Sequence, residues 1–180
     1  FHAILHKHVL KIKYQSFGNT KAKSLILHPH YLKQFNNRWF LFGKNPDFET
    51  VSNLALDRIV SFKELDLPFV ESGIDYEMYF EDIVGVTFPV DAELTKITFR
   101  ASPTLAPYIQ TKPIHGSQKQ LSEGAEGCVF SVEVLPNYEL ERHLLAYGQE
   151  LIVLEPKWLR NKMQNRLLSA IKQYNKLSFE

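Results

Sequence analysis

The chain has 180 residues, 44% of them hydrophobic, 13% aromatic and 23% charged, which places it among globular proteins and excludes disordered or collagenous chains. One cysteine, Cys128, rules out an internal disulfide or a multi-cysteine metal cluster and fits a reducing compartment, so the cytoplasm is expected. The net charge of +1 hides an asymmetry: residues 1–67 hold ten Lys/Arg against five Asp/Glu (+5), and the remainder holds eleven against fifteen (−4).

Phe1, Ile4, Leu5 and Val9 recur at helical spacing, and the period then falls to two at Leu10, Ile12 and Tyr14, with Lys11 and Lys13 between them. A short helix therefore feeds a strand. Residues 16–20 contain Gly18-Asn19 and read as a turn, and strand-like segments follow at 24–28 and 38–43, joined through Asn36-Asn37. After an Asn45-Pro46-Asp47 turn, strand-like composition returns around Leu54 and Leu56 and again over 59–65. Four or five short strands with tight turns in under seventy residues predict a small barrel whose sheet edges are hidden by closure. Residues 68–86 lose periodicity, gain acids, carry Gly73 and Gly85, and read as an acidic linker in which Tyr76, Tyr79 and Phe80 are expected to pack on a neighbouring domain.

The rest, 87–180, alternates strands and helices. Residues 94–100 form a strand, and Ser102-Pro103 opens a helix with Leu105, Ala106 and Ile109 on its apolar face. Strands are predicted near 117–121 and over 127–135. Asn137 caps the next helix, whose Leu140, Leu144 and Leu145 face inward and which Gly148 ends. A strand over 150–154 and a last helix after Pro156, with Leu159, Met163, Leu167, Ile171 and Tyr174 along one side, complete a βαββαβ order plus a helix. The fold class is thus α+β: a small barrel with an N-terminal helix, then a ferredoxin-like domain.

Arg38-Trp39-Phe40-Leu41 resembles the Trp-Tyr-Leu signature of the WYL domain. Its neighbours resemble that family's other blocks in order: Ile12-Lys13-Tyr14, His28-Pro29-His30-Tyr31-Leu32, and Leu56-Asp57-Arg58-Ile59. The end of the chain, with Gly148, the apolar run 151–154 and Glu155-Pro156-Lys157-Trp158-Leu159-Arg160, resembles the extension that often follows this domain. The resemblance implies an Sm-like barrel that binds a ligand, nucleic acid or a nucleotide, in a bacterial transcriptional regulator that works as a homodimer. Operator DNA is then expected to be contacted only through an N-terminal winged helix-turn-helix, which this chain lacks. Two positions depart from the family pattern: Phe40 replaces the tyrosine and lacks its hydroxyl, and Ala55 stands where many members have an arginine.

Arg58 is the leading candidate for binding an anionic ligand, because a cation expected in an apolar strand needs either a protein acid such as Asp57 or a bound anion. Trp39 and Phe40 offer aromatic faces for a base, but adjacent strand residues point to opposite sheet faces, so each is either core or stacking surface. Arg38, Lys11, Lys13 and Lys33 extend a basic face, and Tyr14, His28, His30 and Tyr31 add polar contacts. No metal is expected: His28 and His30 share a strand face and His2 and His6 lie one helical turn apart, yet no carboxylate or cysteine completes either pair at a recognisable spacing. No cofactor and no catalytic residues are expected either. The chain has no Gly-x-Ser-x-Gly elbow, Gly-rich phosphate loop or His-Glu-x-x-His, and Cys128 falls mid-strand. The basic residues of the last helix read as a solvated face, and no apolar run reaches the ~18–20 residues of a membrane span.

Overall fold

The computed structural model describes residues 1–177 and divides into two compact units, 1–79 and 80–180. No helix among the described residues is long and apolar enough to cross a membrane.

In the first unit a four-residue helix α1 (His2–Leu5) leads into strands β1 (Val9–Tyr14), β2 (Lys23–Phe35), β3 (Arg38–Lys44), β4 (Val51–Ala55) and β5 (Ile59–Leu65), with a short helix α2 (Tyr76–Tyr79) at its end. The strands form one antiparallel sheet in the order β4-β3-β2-β1-β5. The thirteen-residue β2 serves both halves of it. Residues Lys23 to Leu27 pair with β1, residues from His28 onward pair with β3, and the register shifts between Pro29 and Tyr31. Proline has no N–H to give to a ladder, so a bulge and bend fall where the sequence puts it. Asn36 and Asn37 both adopt positive φ (47° and 59°), the geometry a two-residue hairpin demands and asparagine tolerates, and the predicted turn forms there. Leu10, Ile12, Leu27, Leu41 and Leu54 make the core, with Ala3, Ile4, Leu25, Leu32 and Ile59 packed against it.

The sheet is not the closed barrel expected from the sequence. β4 and β5 are its two edges, and among the described residues no ladder joins them. A 3-10 turn over Leu56–Arg58 carries the chain from one edge to the other, so the join is covalent rather than hydrogen-bonded. Strand count and turn spacing were legible, whereas closure depends on tilt and stagger that no alternation pattern encodes.

In the second unit the order is β6 (Thr95–Ala101), α3 (Ala106–Thr111), β7 (Lys119–Gly124), β8 (Gly127–Val134), α4 (Tyr138–Leu145), β9 (Leu151–Glu155) and α5 (Lys157–Tyr174). The antiparallel sheet runs β7-β8-β6-β9, the arrangement that a split βαββαβ chain produces. Ile97, Phe99, Phe130, Val132, Val134, Leu140, Leu144 and Leu159 fill its core. Val84, from the acidic stretch, joins that core, and Phe80, Ile83 and Val86 are buried too.

Three local expectations need correction. Ser102 does act as a cap, its Oγ accepting from Leu105 N at 3.1 Å, but it caps a turn, and α3 itself begins at Ala106. On α5 only Leu159 and Met163 are buried; Leu167, Ile171 and Tyr174 continue the same stripe into solvent. Two of the basic residues on that helix are more than solvated surface: Lys162 and Arg166 both reach the buried carboxylate of Glu141 on α4, at 2.5 and 2.9 Å.

Candidate functional site

The turn between β1 and β2 and the 3-10 turn before β5 are stitched together by Gln15 N donating to Arg58 O at 3.0 Å. Gly18 takes φ +88°, which lets the first turn reverse tightly, and Gln15 Nε2 donates to Asn19 O across it. Between these turns lies an open pocket of about 460 Å³, lined by residues 15–19 and 57–60.

Two side chains give the pocket its character. Phe17 projects from the tip of the turn with 72% of its surface exposed, an expensive place for a large ring. The Arg58 guanidinium carbon sits 4.0 Å from the centre of that ring, and Arg38 approaches it to 5.9 Å. Asp57, the acid beside Arg58, is already bonded to Arg38, with Nε to Oδ2 at 3.0 Å. Arg58 makes no ion pair among the described residues, and its Nε is buried without a hydrogen-bond partner. It stands at the end of the 3-10 turn and not, as expected, within an apolar strand. Charge, an aromatic face and an unspent donor therefore meet in one concavity, which can hold an anion on the guanidinium and a planar ring against Phe17.

The structure thus brings Arg38 and Arg58 together. Tyr14 lies close by but is used internally, its hydroxyl accepting from Ala55 N at 3.2 Å. Trp39 is 47% exposed, opposite Gln34, and Phe40 is half-buried opposite Lys33 and Ala55. Lys11 and Lys13 are exposed on β1, opposite Lys63 and Ser61 of β5. His28, His30 and Tyr31 lie elsewhere in the unit, under residues 69–76. His28 Nδ1 accepts from Val70 N at 3.1 Å, His30 Nε2 lies 3.0 Å from Val70 O, and Tyr31 stacks on Tyr76 with centroids 5.1 Å apart. Phe17 was missed by sequence reasoning; the signal available was an aromatic residue set in a Gly-Asn turn, where burial is rarely on offer.

The histidines that hold residues 69–76 make that strap sensitive to acid. Burial, and for His28 also the charge of Lys44, lowers the pKa of His28 below 6.5; burial does the same for His30. Because the folded values lie below the unfolded one, the contribution of the neutral rings is complete above pH 6.5 and is lost as pH falls through the folded values. Protonation of His28 Nδ1 would also remove the acceptor for Val70 N. Hydrogen exchange between about pH 7 and about pH 5 is expected to show Val70 losing protection before the amides of β1 do. Equal loss at both places would contradict this.

The sequence matches the model of the WYL domain over residues 1–64 and that of the WCX domain over residues 93–171. No curated protein matches it. Among solved structures it is similar to Proteasome accessory factor B/C (PafBC) of Arthrobacter aurescens, at 18% identity and a TM-score of 0.39 over 97% of this chain and 26% of that one. It is also similar to a CRISPR Cas-related protein, at 9% identity and a TM-score of 0.55 over 97% of this chain and 49% of that one. The chain spans about a quarter and about half of the lengths of these two neighbours. The pocket lies wholly within the first matched segment, and the chain carries a WYL domain followed by a WCX domain.

Proposed function

We propose that this region is the sensor of a bacterial, cytoplasmic DNA-binding transcription regulator, and that its WYL domain binds an anionic ligand, a nucleotide or a short single-stranded nucleic acid, in the pocket of Phe17 and Arg58, with Arg38 beside it. The observation that carries this reading is Arg58: its Nε is buried without a hydrogen-bond partner and its neighbouring acid is bonded to another arginine. A phosphate would satisfy the guanidinium, and a base would find the exposed Phe17 ring beside it. A volume of about 460 Å³ is within the range of small-ligand pockets. The lining offers one hydroxyl, Ser16, and no histidine, which favours binding over catalysis. Operator DNA would be read by a separate domain of the regulator, and the WCX domain would pass on the response within a homodimer.

Substituting Arg58 by alanine is expected to weaken binding of a nucleotide or an oligo-dT probe by about 1.5–3 kcal/mol, the typical worth of a hydrogen bond to a charged group, with little change in melting temperature. No protein acid is stranded by the change, so the fold should persist. With the oligonucleotide, the slope of log affinity against log salt should become shallower by roughly 0.7 for each phosphate of the single strand that the variant no longer neutralises. A variant that melts much earlier while its folded fraction binds like the parent would end the ligand role of Arg58. A second reading, a dimerisation scaffold without a ligand, is favoured by the exposed stripe Leu167, Leu168, Ile171 and Tyr174 on α5. A parent chain that is dimeric by light scattering and binds neither probe would establish it instead.

A further inference from the structure

The start of the first unit gathers three histidines and a glutamate that the ligand pocket does not use. α1 is only four residues long, and its end is closed by His6 N donating to His2 O at 3.0 Å and His8 N donating to Ala3 O at 2.8 Å. Lys7 takes φ +54°, the left-handed region that side chains seldom enter, and reverses the chain so that His8 returns beside His2. Glu64 reaches the same place from β5, because pairing of β1 with β5 sets Leu10 opposite Glu64 and Val9 opposite Leu65.

The result is a convergence of ligand atoms. Glu64 Oε2 lies 2.8 Å from His8 Nδ1, and Glu64 Oε1 lies 3.9 Å from His2 Nδ1. One ligand atom from each of the three residues falls within 4.8 Å of the others. The His6 ring is 4.2 Å from that of His2 and 5.8 Å from that of His8, centroid to centroid. His8 Nδ1 is buried beside the Glu64 carboxylate, whose Oε2 is 2.8 Å away. An imidazole nitrogen and a carboxylate oxygen held side by side are donors that one cation can share.

We propose that His2, His8 and Glu64, with His6 or water in the fourth position, form a binding site for a divalent transition-metal ion such as Zn²⁺. Imidazole nitrogen with one carboxylate suits zinc, nickel, copper or cobalt and disfavours magnesium and calcium, which take oxygen ligands. Ligand atoms ~2.0–2.1 Å from a tetrahedral zinc ion lie roughly 3.4 Å apart, so closing from 4.8 Å asks for side-chain rotations of roughly 1–1.5 Å. His2, with 69% of its side chain exposed, is free to make them. A bound ion would tie α1 to the edge strand β5, two elements otherwise separated by the length of the sheet in sequence. The spacing concealed this site: the carboxylate that completes the His2/His6 pair is 58 residues beyond His6 and arrives only through the β1–β5 pairing.

The test is calorimetric titration of the untagged chain, cleared of metal by a chelator, with ZnCl₂ and separately with MgCl₂, together with thermal melts. One Zn²⁺ per chain, a raised melting temperature and no response to Mg²⁺ are expected. Glu64→Gln and His2→Ala should each weaken zinc binding about tenfold or more while melting like the parent in chelator, and His143→Asn, in the second unit, should bind zinc as the parent does. With Co²⁺ in place of zinc, visible d–d absorption should appear in the parent and vanish in Glu64→Gln. Zinc binding that survives both cluster substitutions, equal affinity for zinc and magnesium, or no binding at about millimolar zinc would each overturn the site.

Discussion

Substituting Gly127 by alanine is expected to destabilise the second unit by about 3–5 kcal/mol, the sum of a strained backbone and an overpacked contact of about 1–3 kcal/mol each or slightly more. Gly127 opens β8 at φ +111°, outside the range of L side chains. A Cβ there would stand 1.9 Å from the carbonyl oxygen of Ala101 and 2.9 Å from the carbonyl carbons of Ala101 and Ser102. These are backbone atoms at the end of β6, and Ala101 is paired with Cys128, the next residue of β8. Neither chain can move aside without loosening the central ladder. The two tryptophans fall one to each unit, Trp39 and Trp158, so urea unfolding followed by Trp158 fluorescence in a Trp39→Phe background isolates the effect. The transition should move to lower urea with little change in slope, and an unmoved midpoint would refute the steric account.

Asn137→Ala should cost about 2–3 kcal/mol in the same assay, from one helix cap, the buried carbonyl of Val84 and the carbonyl of the exposed Thr87. Asn137 is buried, and its Oδ1 accepts from Leu140 N at 2.8 Å, the cap of α4. Removing a cap costs about 1 kcal/mol. The rest comes from Nδ2, which donates to Val84 O and Thr87 O at 2.9 Å each and fastens residues 84–87 to the start of the helix. The buried Val84 carbonyl, deprived of its donor, adds about 1 kcal/mol, and that of the exposed Thr87 adds less. Asn137→Asp separates these parts. Aspartate caps as well as asparagine, but it would turn a carboxylate toward two carbonyl oxygens, so it should be no more stable than alanine. Recovery of most of the stability in Asn137→Asp would mean that the Nδ2 bonds contribute little.

Asn137 also marks how far the sequence can be read. Its capping role follows from local chemistry, three residues from donor to acceptor, and was legible. Its two longer bonds join residues fifty and more apart and were not. The second unit was readable for the same reason: alternation of periods two and 3.6 declares each strand and helix, and few sheet orders accommodate βαββαβ. Gly127 looked like any glycine at a strand end, because its constraint comes from a neighbouring strand. In the first unit, Arg58 stood out as a cation next to apolar residues. What set it apart from a solvated arginine was invisible: Asp57 is taken by Arg38 from nineteen positions earlier, and Phe17 is brought under it by a turn. His28 and His30 were expected on one strand face; a bulge interrupts the alternation between them, both contact Val70, and nothing local announces that residues 69–76 fold over them.

The position of β5 beside β1 acquires a further meaning while the chain is being made. β1 to β4 pair each with the next, so three hairpins can form as soon as each strand is complete. The partner of β1 on its other side arrives about fifty residues later, some 3–10 s at a bacterial or eukaryotic synthesis rate of ~5–20 residues per second. During that interval β1 is a bare strand edge able to recruit a neighbouring nascent chain. Lys11 and Lys13, exposed on that strand, place positive charge on the vacant edge, which repels a second copy until β5 covers it, with Lys63 set opposite Lys11.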